Sequence, residues 1–252
     1  MRNSKLFVPV AMMIKTTFLC ASLAVSSLSA GGELPTKQSP RSVKEMHPTS
    51  IVYAALGDEL RRYVLDATLA ELAPRGSIKL PANLQFADFH PSKHILYAVS
   101  SDAGSGTLGA SGSKHLLSAF SLSGKDGELY PLGEPVSLPE RPIHVSVDRR
   151  GAHVLVAFNK SGTIKTYRLS KEGYIGEEVV QKDIPDGGIF THQVVVTPSN
   201  SKVIALGRGN EAIGSRLSET GSSSLFDYSA GQMTLVRKVA FDEGIGPRHL
   251  AF

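Results

Sequence analysis

Cysteine is nearly absent from this chain, and its scarcity excludes several kinds of chemistry. The only cysteine, Cys20, lies in the N-terminal leader described below, so the rest of the chain has no thiol. A disulfide framework, a thiolate metal site and a cysteine nucleophile are therefore excluded for the mature protein. A protein without thiols suits an oxidising compartment.

A clear excess of positive charge is also lacking. The formal net charge is +4, but Arg2, Lys5 and Lys15 lie in the leader. Without these three, 24 of the 27 basic residues remain against 23 acidic ones. Because a protein that binds nucleic acid needs a concentrated basic face, nucleic acid is not an expected partner. A hydrophobic content of 41% with 20% charged residues is typical of a globular protein.

No apolar run is long enough to cross a membrane. The uncharged segment 16–30 follows basic residues, contains an apolar stretch at 18–25 and ends in small residues, which predicts a signal peptide over residues 1–30. We therefore expect an exported protein, periplasmic or secreted, with no membrane anchor after cleavage. Residues 31–46 are polar and aperiodic, which predicts a flexible linker before a folded domain at 47–252.

One pattern, a strand followed by a tight turn and a second strand, recurs along this domain. Its copies lie at residues 86–99, 144–157, 192–206 and, in part, 248–252. The equivalent positions are Phe89, Val147, Val196 and Phe252. Their spacings of 58, 49 and 56 residues by count are typical of the blades of a β-propeller.

Further strands follow each copy. Residues 163–169 alternate apolar and polar side chains with period two, and segments 116–122 and 224–228 occupy the same place in their repeats. Residues 51–55 and 59–65 supply strands of an opening blade. Helical periodicity is weak throughout, so we predict an all-β fold, a β-propeller with about four blades plus one strand. An open β-sandwich is the alternative, but it does not require such regular spacing.

Three segments carry a resemblance to a known family. They are residues 141–148 (RPIHVSVD), 191–195 (THQVV) and, most specifically, 244–252 (GIGPRHLAF). The chain resembles the seven-bladed β-propeller lactonases, which include 6-phosphogluconolactonase and carboxymuconate cyclases. Seven blades of about 50 residues need around 350 residues, so the resemblance implies a chain truncated at its C-terminus.

The resemblance also implies an active site in the central channel. The family's catalytic histidine matches His192 and its arginine matches Arg248, while a glutamate of the family falls beyond Phe252. His192 would carry a proton, and Arg248 would bind an anionic group or the oxyanion of the reaction. The alternative is structural: His192 would tie two blades together, and Arg248 would form an interblade ion pair. Strand alternation predicts that both side chains share one face and that His249 faces the other way.

Three further residues are candidates for binding substrate. Gln193 could orient the substrate, although alternation points it away from His192. Arg208 and Arg216 flank a polar loop that is long for a blade hairpin, and such loops often form binding rims for a ligand, here an anionic one. A solvated loop is the alternative.

The sequence thus predicts a lactonase-family hydrolase that acts on a small anionic or sugar lactone. It is expected to work as a monomer at full length, without a metal or an organic cofactor. Two alternatives stay open: a non-catalytic exported propeller that binds a partner, and a carboxymuconate-type cycloisomerase. A channel-facing glutamate on the strand after Arg248 would favour catalysis.

Overall fold

The computed structural model describes residues 12–16, 50–104, 110–124, 126–212, 215 and 217–252, and these form four antiparallel sheets. The first sheet contains β1 (Met12–Thr16), β2 (Ser50–Leu56), β3 (Glu59–Asp66) and β4 (Glu71–Lys79). The second contains β5 (Asn83–Phe89), β6 (Ile95–Ser101), β7 (His115–Ser123) and β8 (Glu128–Pro131), with β9 (Val136–Ser137) also paired to β7. The third contains β10 (Pro142–Val147), β11 (His153–Phe158), β12 (Ile164–Leu169) and β13 (Ile175–Glu178). The fourth contains β14 (Thr191–Val196), β15 (Lys202–Gly207), β16 (Ser222–Ser229) and β17 (Gln232–Ala240).

Each sheet is one blade, and consecutive strands are neighbours within it. In the third and fourth blades, the first hairpin closes through a tight turn in which one residue adopts a positive φ. Gly151 (φ 66°) and Asn200 (φ 57°) occupy equivalent places in the third and fourth blades. Glycine and asparagine tolerate this left-handed conformation better than other residues, which is why the sequence can turn sharply here.

The cores lie between adjacent blades. On β6, Leu96 and Ala98 pack into the cluster shared with the first blade, whereas Tyr97 and Val99 pack into the cluster shared with the third. All seven residues of β6 are buried for this reason, and so are all six of β11. Period-two alternation therefore separates two apolar faces here, not an apolar face from a polar one.

A repeated contact joins the first blade to the second and the second to the third. The Tyr53 hydroxyl donates a hydrogen bond to the carbonyl of Gly127, and the equivalent Tyr97 hydroxyl donates to the carbonyl of Gly173 at 2.8 Å. Gly173 has a φ of 98°, and a Cβ there would lie 2.2 Å from Cδ1 of Ile95. Glycine at this turn allows the close approach of two blades.

A β-bulge occurs at the same place in three inner strands. The pairing register shifts between Leu84 and Phe86 in β5, between Pro142 and His144 in β10, and between Thr191 and Gln193 in β14. The extra, unpaired residues are Gln85, Ile143 and His192. Each lies four residues before the equivalent position of its repeat, as Arg248 lies four before Phe252. A bulge bends its strand and redirects the side chain it carries.

The structure confirms an all-β, propeller-like fold with four blades, and it differs from the prediction in three places. Residues 248–252 are not assigned to a strand, so the predicted first strand of a fifth blade is not formed. Two strands were not foreseen: β4 and β1. Because β1 pairs with β2 and lies within residues 1–30, cleavage after residue 30 would remove the first strand of that sheet. The signal peptide stays a prediction, and the rest of it and the linker at 31–46 lie outside the described residues.

Candidate functional site

The starts of the inner strands meet at one end of the blades. β10 contacts both β5 and β14, so the residues at their bulges are brought together across three blades. The ring of His144 stacks on Phe86 with the centroids 4.0 Å apart. These two residues occupy equivalent positions of neighbouring repeats. The packing therefore places two rings together between the inner strands β5 and β10.

His192 is the unpaired residue of the β14 bulge and lies at the centre of the site. Its ring contacts His249 edge to face, with the centroids 4.9 Å apart, and its side chain lies close to the backbone of Arg248. Its Nδ1 is buried and has no hydrogen-bond partner among the described residues. A buried nitrogen without a partner is costly, so this atom is a place where a water or a ligand is favoured.

The pKa of His192 is lowered to about 4, first by burial and then by the nearby His249, Arg248 and Arg208. Both desolvation and neighbouring positive charge disfavour the imidazolium form. At neutral pH the imidazole is therefore uncharged and able to accept a proton.

Arg208 follows directly after β15 and is held over an aromatic ring. Its guanidinium carbon lies 4.7 Å from the centroid of Phe190, a contact in which the ring face attracts the cation. Phe190 adopts a φ of 51°, an uncommon conformation for a bulky residue, two positions before His192. Such conformations persist where the surroundings hold them, and they are often found at functional sites.

A polar cavity of about 230 Å³ opens beside these residues. Two segments form its walls: the loop between β15 and β16, and the chain that follows β17. Its charged lining residues are Arg208, Glu211, Glu219 and Arg248. The cavity is therefore lined by residues of both charges, two cationic and two anionic.

Glycines allow the two walls to approach. Gly209 has a φ of 67°, and a Cβ there would lie 2.2 Å from the carbonyl oxygen of Glu219. A Cβ at Gly221 would lie 2.5 Å from both the carbonyl oxygen of Ile245 and Cδ of Pro247. Larger residues at these positions would force the loop and the following chain apart.

Gln193 has a different environment from the other candidates. It is 7% exposed, and its amide faces the backbone of Leu250. Leu250 N–H donates to Oε1 of Gln193 at 2.6 Å, and Nε2 of Gln193 donates to the Leu250 carbonyl at 3.3 Å. Both polar ends of the amide are therefore engaged within the chain.

The structure brings three of the candidates to one place and not the others. Arg208 and Arg248 line the cavity and His192 lies near both, whereas Gln193 does not line it and Arg216 lies outside the described residues. Their roles stay predictions. Sequence alternation placed His249 on the opposite face from its partners, but its ring contacts His192. Alternation holds at neither residue, because residues 248–252 form no strand and His192 is unpaired at a bulge.

Glu211, Glu219 and Phe190 were not identified from the sequence. The length of the loop that contains both glutamates was the available signal for them, whereas nothing in the sequence marks the positive φ of Phe190. Among the described residues there is no group of three or more histidine, aspartate or glutamate side chains placed to hold a metal ion. The same residues include no helix long and apolar enough to cross a membrane.

Comparison with known proteins identifies the family. The family model described as lactonase, 7-bladed β-propeller, matches residues 48–252. The chain belongs to this family. The resemblance seen in the three sequence segments is thereby confirmed.

Individual relatives of this lactonase-family chain are distant. A protein of Bacillus subtilis (strain 168) named 6-phosphogluconolactonase is 25% identical over 188 residues, covering 71% of this chain and 48% of the relative. The chain thus spans about half the length of that curated relative. A periplasmic gluconolactonase of Pseudomonas aeruginosa has a similar fold, with 13% identity, a TM-score of 0.57, and coverage of 81% of this chain and 53% of its own. A protein of Lactobacillus plantarum gives a TM-score of 0.60 at 13% identity, covering 79% and 54%.

The burial of His144 predicts that this lactonase-family chain is less stable in acid. His144 is 2% exposed, and burial, followed by the charges of His249 and His192, lowers its pKa to about 3. A group with a depressed folded-state pKa contributes its full stability above the unfolded value, near 6.5, and loses it as the pH falls toward 3. The free energy of unfolding should therefore fall below pH 6.5, by up to about 1.4 kcal/mol per pH unit for this group.

Urea unfolding between pH 7 and pH 4.5 measures this effect. His144→Phe, which installs the residue found at the equivalent Phe86, should flatten the pH dependence. His94→Gln, at an exposed position, serves as the control and should leave it unchanged. If His144→Phe keeps the slope of the parent protein, His144 is not the source of the acid sensitivity.

Proposed function

We propose that this protein hydrolyses a small sugar lactone or other anionic lactone. The proposal is carried by one observation: an uncharged imidazole, His192, lies close to Arg248, and Arg248 lines a polar cavity. Membership of the lactonase family supports it. Because the chain spans about half of its curated relative, the activity proposed here is that of the full-length protein.

Hydrolysis of a lactone needs a base for the attacking water and a positive partner for the oxygen that becomes an anion. His192 can accept the proton as water adds to the carbonyl carbon, because its lowered pKa keeps the ring unprotonated at neutral pH. Arg248 can stabilise the oxyanion. Collapse of the intermediate breaks the bond from carbon to the ring oxygen, which takes up the proton held by His192 and becomes the hydroxyl group of the product hydroxy acid.

The cavity supports a small, polar substrate. At about 230 Å³ it is smaller than the roughly 300–1,000 Å³ usual for drug-sized ligands. Its two carboxylates, on Glu211 and Glu219, can accept hydrogen bonds from the hydroxyl groups of a sugar ring. Its cations, Arg208 and Arg248, can bind a carboxylate or a carbonyl oxygen.

Export favours an unphosphorylated substrate. The Bacillus relative is named for a phosphorylated lactone, whereas the Pseudomonas protein with a similar fold is a periplasmic gluconolactonase. A signal peptide at residues 1–30 would place the present protein where phosphorylated sugars are not normally made. We therefore place gluconolactone and similar sugar lactones ahead of their phosphate esters. Neither His192 nor Arg248 needs a metal or an organic cofactor for the roles assigned to them.

Titration of acid release tests the proposed function. The full-length protein is given glucono-δ-lactone, 6-phosphogluconolactone and an unsubstituted aliphatic lactone at pH 6, and each rate is corrected for spontaneous hydrolysis. Saturable hydrolysis is expected, with the highest kcat/KM for the unphosphorylated sugar lactone. Rates equal to spontaneous hydrolysis for all three lactones would contradict the proposal. Saturable binding without turnover would then favour the non-catalytic binding module.

A further inference from the structure

The inner strand of the fourth blade holds the following segment through side chains. The amide of Gln193 makes a donor and an acceptor contact to the backbone of Leu250. The side chain of the preceding residue, His192, lies close to the backbone of Arg248. Two consecutive side chains of β14 thus contact alternate residues of the segment that carries the guanidinium.

The contact resembles one between the backbones of two strands. Residues 248–252 belong to no strand among the described residues, and Gln193 bonds to Leu250 within this segment. An amide side chain carries one acceptor and two donor hydrogens, and it can satisfy a backbone N–H and C=O as a neighbouring strand would. Gln193 supplies both contacts to Leu250 from a side chain that is itself buried. The position of Leu250 then constrains Arg248 two residues earlier.

We propose that Gln193 is a positioning residue. Its amide forms two hydrogen bonds to the backbone of Leu250 and thereby holds Arg248 at the cavity, close to His192. This role rests on the proposed function of the site. It also explains the residue type: a hydrophobic side chain of the same size would fill the space but would leave the N–H and C=O of Leu250 without these partners. Gln193 itself does not touch the substrate.

The chain contains a matched control for this contact. Gln181 also bridges two blades by its amide, donating to the carbonyl of Gly231 at 2.8 Å and accepting from the N–H of Met233 at 2.9 Å. None of these residues lines the cavity. Gln181→Leu therefore removes the same kind of contact as Gln193→Leu but at a distance from the proposed site.

Hydrogen exchange tests the contact between Gln193 and Leu250 without any assay of activity. In the full-length protein, Gln193→Leu should speed amide exchange in a peptide covering residues 244–252 and leave a peptide over residues 232–240 unchanged. Gln181→Leu should show the reverse, because Met233 lies in the second peptide. Unchanged exchange over 244–252 in Gln193→Leu would overturn the proposal, whether or not the protein hydrolyses a lactone.

Kinetics then measure the effect on Arg248. Gln193→Leu should lower kcat/KM about 10- to 100-fold, the scale expected when a catalytic group is misplaced by about an ångström. Gln193→Glu, which keeps the acceptor for the Leu250 N–H, should lose less. In a protein that already carries Arg248→Ala, Gln193→Leu should cause little further loss, because the group it positions is gone.

These experiments distinguish a positioning role of Gln193 from a role in general stability. Equal losses in the parent and in the Arg248→Ala background would show that Gln193 acts through general stability and would overturn the positioning role. A loss in Gln181→Leu as large as that in Gln193→Leu would do the same. If the parent protein hydrolyses no lactone, the proposed function fails. Faster exchange over residues 244–252 in Gln193→Leu would still establish that Gln193 holds Leu250 in place.

Discussion

Replacing Arg248 by alanine should lower kcat/KM for lactone hydrolysis by about 100- to 1,000-fold, the usual effect of losing one oxyanion partner. Arg248 is exposed at the cavity, and its side chain is not part of an apolar core. The melting temperature should therefore change little. Arg248→Lys should recover part of the loss, because lysine keeps the charge but lacks the planar fork of donors.

The control for this prediction is Arg237→Ala. Arg237 is exposed on β17 and does not line the cavity. Its removal should leave both kcat/KM and the melting temperature close to those of the parent. An Arg248→Ala protein with parental kcat/KM on every lactone that the parent accepts would show that Arg248 is not catalytic. Equal proportional losses of activity and stability would instead indicate an interblade structural role.

Replacing His192 should have an effect of similar size and should also change the pH profile. Loss of a general base typically lowers the rate by about 100- to 10,000-fold. Since the pKa of His192 is lowered to about 4, the active unprotonated form increases as the pH rises through 4. The parental kcat/KM should therefore rise across this range and level off near neutrality.

His192→Gln is the most informative substitution because glutamine has a similar size and does not titrate. It should lower kcat/KM and abolish the acid limb, while His94→Gln, at an exposed turn, should preserve both. Measurements should stay above the pH at which the protein unfolds, which urea titration defines. If His192→Gln retains the rise near pH 4, another group is responsible for it and His192 is not the base.

Part of the proposed site followed from the sequence because the fold is a repeat. Equivalent positions in successive blades must lie at equivalent places around the channel. The four-residue offsets of His192 from Val196 and of Arg248 from Phe252 therefore placed both at the start of inner strands. The structure adds that His192 is the unpaired residue of a bulge, which alternation within one strand could not reveal.

The contacts between blades were not predictable in the same way. Gln193 was considered only as a possible substrate ligand, because its partner, Leu250, lies 57 residues away in the sequence. His249 was assigned to the opposite face by alternation, and its contact with His192 depends on how the segment after β17 returns to β14. Such contacts depend on the angle and separation of packed sheets, which are set by many side chains together.

The sequence by itself determined the class of fold, because strands of period two, tight turns and near-equal spacing leave few architectures that bury all the apolar residues. It also determined the family, through the segments at 141–148, 191–195 and 244–252. Only the tertiary structure decided which polar atoms face one another across the blades. A hydrogen bond depends on distances of a few tenths of an ångström. The bulges and the packing of one blade against the next set those distances, and a linear pattern of residue types does not encode them directly.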